Sequence, residues 1–352
     1  MSTHRSRSYL FPGVPLALGS AVLFGATPPL AKTLLHDMSP LMLAGILYLG
    51  AGIGLLTYRL ARRRKSSEAK LSQADLPWLA LAILAGGIVG PVLLMAGLSF
   101  TGASTSSLLL NLESLATMAI AWLVYRENVD RRLLFGALAI IAGAVLLSWN
   151  GENLSLDVGA LLVAGACLAW GIDNNLTRKI SGADPVSIAM LKGIVAGGVN
   201  VALGLAVGFT LPSLKTAALA GFIGFIGIGV SLVMFIFALR HLGTARTGAY
   251  YSTAPFIGAV LAVVFLGEPL TVTLVLAAIL MAVGLWFHLS ERHEHEHVHD
   301  VIEHEHSHVH DEHHRHAHEA PVAEPHSHWH RHMPMRHKHP HYPDLHHRHH
   351  HG

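Results

Sequence analysis

Of the 352 residues in this chain, 52% are hydrophobic and 13% are charged. The charged share is about half that of an ordinary globular domain, which excludes a water-soluble fold and points to an integral membrane protein. The net charge of +2 averages an apolar body with a polar tail, since only His4, His36, His241 and His288 of the 28 histidines precede residue 291, and it indicates no nucleic-acid partner.

A helix crossing the hydrocarbon core needs about 20 apolar residues. Ten such windows follow one another, at 14–35, 40–59, 76–98, 103–125, 132–149, 156–177, 185–209, 216–239, 244–266 and 271–289. The basic start (His4, Arg5, Arg7) runs into the first window with no small-residue cleavage site, so that window is expected to remain as a span. Cys167 is the single cysteine and forms no internal disulfide, which suits a membrane protein with one face toward a reducing compartment.

Lys and Arg set the orientation. With the N-terminus in the cytoplasm, the cytoplasmic side holds Arg59, Arg62 to Lys65, Lys70, Arg126, Arg131, Arg132, Arg178, Lys179, Arg240, Arg246 and Arg292, whereas the outer side holds Lys215 and Lys32. An even number of spans then places both termini in the cytoplasm of a multi-pass protein of the cell (inner) membrane.

The chain also repeats itself. Moving Leu98–Gly143 forward by 141 positions lays Gly102 on Gly243, Ala121 on Ala262, Glu127 on Glu268 and Gly143 on Gly284. At an offset of 146, Gly19, Phe24, Gly25 and Lys32 fall on Gly165, Trp170, Gly171 and Arg178. Five spans separate corresponding points, and an odd number turns the second half over relative to the first. The expected architecture is all-α: two inverted five-helix repeats, at 14–149 and 150–290, between an N-terminal segment (1–13) and a His-rich tail (291–352).

The stretches "SPLMLAGILYL", "LVYRENVDRRLLFGALAIIAGAVLL", "ACLAWGIDNNLTRKISGADP" and "APFIGAVLAVVFLGEPLTVTLVLAAILMAVGLW" occur in an order that resembles the EamA-type ten-helix permeases of the drug/metabolite transporter superfamily. The resemblance covers about residues 14 to 289. It implies a permease, not an enzyme, that moves small metabolites by alternating access. It names no metabolite, and Leu47 stands where many relatives carry an Arg, so no role of that Arg carries over; the matching place in the second half is Lys192.

Ionisable side chains at bilayer depth cost about 2.5 to 3.5 kcal/mol on insertion scales and mark function by default. Glu113, Asp173 and Lys192 qualify. Asp173 and Lys192 lie at matching depth on consecutive spans, roughly 8 to 10 Å from one face at ~1.5 Å rise per residue, and are expected to pair; the competing account is a static tie between helices. Glu113 sits mid-span beside Asn111 and the run Ser104 to Ser107, where the second copy has Ala254 and Pro255. A carboxylate there suits substrate binding or proton coupling, against a buried carboxylate bonded to a serine. Asn174 and Asn175 continue from Asp173, and at least one of them should face the bundle to hold substrate or glue helices. Pro28-Pro29 and Gly90-Pro91 are expected to interrupt their spans and hint at a cavity. The glycine runs, such as Gly221, Gly224 and Gly227, read as close helix contacts.

From His293 onward the composition cannot support a packed core and reads as disordered. Its His-x-His alternation, at His293, His295, His297, His299, His304, His306, His308 and His310, puts imidazoles on one side of an extended chain. Such groups suit labile, weakly selective Zn, Ni or Co, or a pH-sensitive solvated tail. No cofactor is required by the rest of the chain. Two functions therefore stand: a permease for small metabolites, with a proton as the coupling ion at Glu113, or a divalent-metal transporter or metal-regulated permease fed by the tail. Small solute, lipid bilayer and divalent metal are the expected partners; the residues leave the oligomeric state open.

Overall fold

A computed structural model describes residues 13–61, 69–125, 131–149, 157–180 and 183–289, together with four tail segments; at 125, 239–246, 249, 289 and in the tail it describes backbone alone. The body is helical. The helices are α1 (Gly13–Leu34), α2 (Pro40–Ala61), α3 (Leu76–Ala82), α4 (Gly90–Phe100), α5 (Ala103–Leu109), α6 (Leu112–Tyr125) and α7 (Arg131–Ser148), then α8 (Val158–Ile180), α9 (Pro185–Ala206), α10 (Leu214–Gly224), α11 (Ser231–Tyr251), α12 (Ala254–Leu266) and α13 (Val272–Leu289). Among the described residues, seven helical rods are long and apolar enough to cross a membrane, and α12 and α13 are shorter apolar helices. Leu123, Phe135, Val264, Phe265 and Trp286 are exposed around the body, as side chains in contact with lipid would be.

Two rods change their winding midway. A π-helical turn at Ile83–Val89 joins α3 to α4, and another at Phe225–Val230 joins α10 to α11. They correspond under the repeat, and the Gly90-Pro91 step lies beside only the first. Pro28-Pro29, expected to interrupt its span, lies inside a continuous α1. The expected boundary between 239 and 244 is likewise absent, because α11 runs on to Tyr251. The chain instead breaks at Ser252 and Thr253, as it breaks at Leu110 and Asn111 between α5 and α6. Gly102 takes extended backbone between α4 and α5, at the N-cap of α5, whereas the backbone at Gly243 stays helical.

Contacts exchange under the same offsets. α1 packs on α11 as α8 packs on α4, and α1 meets α12 as α8 meets α6, while α2 with α9 and α7 with α13 pair like with like. Glycines make these approaches close. A Cβ on Gly193 of α9 would lie 2.6 Å from the Gly52 nitrogen of α2, and one on Gly284 of α13 would lie 2.6 Å from the Gly136 oxygen of α7. Lipid offers no hydrophobic drive between helices, so contact area at small residues must supply the attraction.

The tail departs from the expectation of disorder in its described part. Strand β1 (Glu294–His299) pairs antiparallel with β4 (Met335–Pro340), and β2 (Ile302–His308) with β3 (His326–His332). A two-residue alternation fits extended backbone.

Candidate functional site

Asp173, Lys192 and Glu113 meet along α8. At its centre the Lys192 Nζ of α9 donates to both carboxylate oxygens of Asp173 at 2.6 Å each, with the two side chains 11% and 9% exposed. Thr177, one turn along, donates its hydroxyl to Asp173 Oδ1 at 2.8 Å. Burying a charge demands such compensation. The pairing expected from matching depth is therefore present as geometry, and a threonine adds to it.

Asn174 and Asn175 turn to α6. The Asn174 amide donates to Glu113 Oε1 at 2.9 Å and to Thr117 Oγ1 at 3.2 Å. The Asn175 amide donates to the carbonyls of Gly171 at 2.8 Å and Thr117 at 3.1 Å. Asn175 is buried and bonds only backbone, so it glues α8 to α6. Asn174 is exposed at the edge of this cluster and, among the described residues, Glu113 is in no ion pair. Asn111 stands apart: buried, it donates to the Leu108 carbonyl and touches Met281 Sδ of α13 at 3.8 Å.

The π turn at Ile83–Val89 forms the wall facing Asp173. Its carbonyls are accounted for by side chains from three helices: Tyr48 and Trp170 donate to the Gly86 oxygen at 3.0 and 2.9 Å, and Asn200 lies 3.4 Å from the oxygens of Gly87 and Ile88. Non-α backbone at membrane depth persists only where protein satisfies it. A side chain at Gly86 would collide with the Asp173 carboxylate. The symmetry-related contact joins Gly227 to Thr27, which holds the place of Asp173, so the acid-base pair is a feature of one half alone.

Next to these groups lies an aromatic cluster. Phe24 meets Trp170 edge-on at 6.4 Å and Tyr251 at 5.6 Å, and Tyr251 meets Phe235 at 4.7 Å. Phe24 and Trp170 are counterparts under the repeat. Counterparts that touch lie where the two halves meet.

Comparison with known proteins identifies the kind of molecule. A model of the EamA-like transporter family matches residues 11–149 and again 157–290. The chain belongs to the EamA-like transporter family. It is 29% identical over 286 residues to an uncharacterized transporter of Methanothermobacter thermautotrophicus, covering 76% of this chain and 83% of that one. It is 26% identical over 294 residues to a probable amino-acid metabolite efflux pump of Salmonella typhimurium (78% and 93%). It is 25% identical over 198 residues to a probable terminal-alkyne amino-acid exporter of Streptantibioticus cattleyicolor (55% and 66%). One solved crystal structure superposes with a TM-score of 0.59 at 17% identity, over 78% of this chain and 94% of that one, and so shares the fold. This EamA-like chain is thus a membrane transporter.

Residue patterns alone missed Thr117, Trp170, Tyr48 and Gly86. Thr117 stands one turn from Glu113, a helical spacing that could have revealed it; no spacing signals a π turn. Among the described residues, no group of three His, Cys, Asp or Glu is placed to hold a metal ion. The proposed ligands His293, His295, His297, His299, His304, His306, His308 and His310 lie outside the described side chains.

Proposed function

We propose that this protein is a ten-span inner-membrane permease, built of two inverted five-helix repeats with both termini cytoplasmic, that exports small amino-acid-like metabolites by alternating access. The single observation that carries the reading is the 2.9 Å bond from the Asn174 amide to Glu113 across α6 and α8. It sets a carboxylate that has no cationic partner among the described residues beside the aromatic groups where the halves meet. An ammonium group suits that carboxylate, an apolar side chain suits Phe24, Trp170 and Tyr251, and the buried Asp173–Lys192 pair stays internal. The exchange of helix contacts between halves supports the inverted repeat, and the printed names of two relatives support an amino-acid-like cargo. Coupling to a proton at Glu113 belongs to the same reading. In proteoliposomes offered a panel of amino acids, the wild type should exchange at least one, and Glu113→Gln and Asn174→Ala should each slow that exchange at least about tenfold. Equal rates in all three proteins would refute the assignment.

The tail is proposed to carry labile Zn, Ni or Co. Its strand register supports this by setting His295 opposite His339, His297 opposite His337, His304 opposite His330, His306 opposite His328 and His308 opposite His326. Residues opposed in an antiparallel pair have Cβ atoms about 4.5 to 5.5 Å apart.

A further inference from the structure

A carboxylate closes one end of the bundle, remote from the polar cluster. Gly267 ends α12 in left-handed backbone (φ 68°), which glycine adopts without steric cost. The turn sends Glu268 back toward the start of α5. There one carboxylate oxygen accepts the Ala103 N–H at 2.6 Å, and the other accepts the Ser104 N–H at 2.8 Å and its hydroxyl at 2.5 Å. Lys32, at the end of α1, donates to the Leu98 oxygen at 3.0 Å and to the Thr101 oxygen, capping the end of α4. The ends of α1, α4, α5 and the α12–α13 connection are thereby tied together.

Three features set this tie apart from the scaffold. Glu268 belongs to the second half and its three donors to the first, so a relative movement of the halves must break it. The carboxylate is half-buried, so water can replace its partners when it lets go, unlike the backbone-to-backbone glycine contacts of α2 and α9. Directly below it, the hydroxyls of Ser106 and Ser107 are buried with no partner among the described residues. Buried hydroxyls are normally satisfied, and these two would regain water if the end above them opened.

We propose that Glu268, bonded to Ala103 and Ser104 and flanked by Lys32, is the releasable seal of the extracytoplasmic end, closed in this conformation and opened in each transport cycle. The proposal rests on the alternating-access reading above. Charge-assisted bonds are about twice as strong as neutral ones, so a three-bond carboxylate cap adds a strong but breakable tie to the packing of α5 on α12.

Accessibility tests the seal without any substrate, so its outcome is separate from that of the flux assay. In Cys167→Ser protein carrying Ser107→Cys, a membrane-impermeant maleimide added outside intact proteoliposomes should label slowly. Glu268→Gln turns one accepting oxygen into an NH2 that faces an N–H donor, and labelling should quicken about tenfold or more. Ser104→Ala, which removes one hydroxyl bond and no charge, should quicken it by a smaller factor and serves if the Gln protein does not assemble. Unchanged labelling in monodisperse protein of either variant would overturn the seal, whatever the flux assay returns.

Discussion

Lys192 Nζ stands 2.6 Å from each oxygen of Asp173, on helices that follow one another in the chain and both belong to the second half. In the first half the same two places hold Leu47 and Thr27. Removing one member of a buried ion pair strands the other charge, at a cost of about 3 to 5 kcal/mol, while replacing both is often nearly neutral. Lys192→Met should therefore lower the thermal midpoint in detergent substantially, and Asp173→Asn combined with Lys192→Met should recover most of the loss. A double variant no better than the single one would remove the pair as the reason.

Gly86 has no room for a side chain because Asp173 occupies the space, whereas Gly198 of α9 has nothing within 4 Å of where a Cβ would stand. Gly86→Ala is expected to destabilise by about 1 to 3 kcal/mol through overpacking. Gly198→Ala should be neutral or stabilising by up to about 1 kcal/mol, since alanine is the better helix former. Thermal unfolding of the two variants side by side checks the contrast; equal midpoints would contradict it.

How much of this was legible beforehand divides by physical cause. Apolar windows, the offsets of 141 and 146 and the matching depth of Asp173 and Lys192 depend on spacing alone, and the helices and the ion pair follow them. The π turns, the continuous α11 and the carbonyls met by Tyr48, Trp170 and Asn200 arise from packing between distant segments, which no local pattern encodes. Asn111 illustrates the difference: proximity in sequence groups it with Glu113, yet the break at Leu110 and Asn111 turns it toward Met281. The role of Glu268 was half visible. Its recurrence opposite Glu127 marked a punctuation point, but that it reaches across to α5 appears only in three dimensions, and Glu127 lies outside the described residues.

The seal should be insensitive to mild acid. Burial alone would raise the Glu268 carboxyl, but its bonds from Ser104 and Ala103 and the nearby Lys32 charge outweigh burial and hold it below the usual carboxylate range. A carboxylate with a depressed folded-state pKa adds stability that is present above the unfolded value, about 4.3 for Glu, and lost only as pH falls through the folded value. Labelling of Ser107→Cys, normalised to denatured protein at each pH, should be flat from about pH 8 to about pH 5.5. A rise within that window would contradict the assignment.

For the tail, Ni or Zn titrated into full-length protein should bind in more than one equivalent. Replacing His304, His306, His328 and His330 by Ala should reduce the stoichiometry while leaving amino-acid exchange unchanged. Binding that survives the fourfold replacement undiminished would show that these opposed positions are not the ligands.

The central claim is that the Glu113 carboxylate, held by Asn174, is where cargo and proton are linked. The most direct measurement is proton movement, read by a pH-sensitive dye inside proteoliposomes, when a gradient of a transported amino acid is imposed. Wild-type protein should move protons with the amino acid, and Glu113→Gln should move none, even during whatever slowed exchange it retains. Proton movement of equal size in Glu113→Gln would contradict the account.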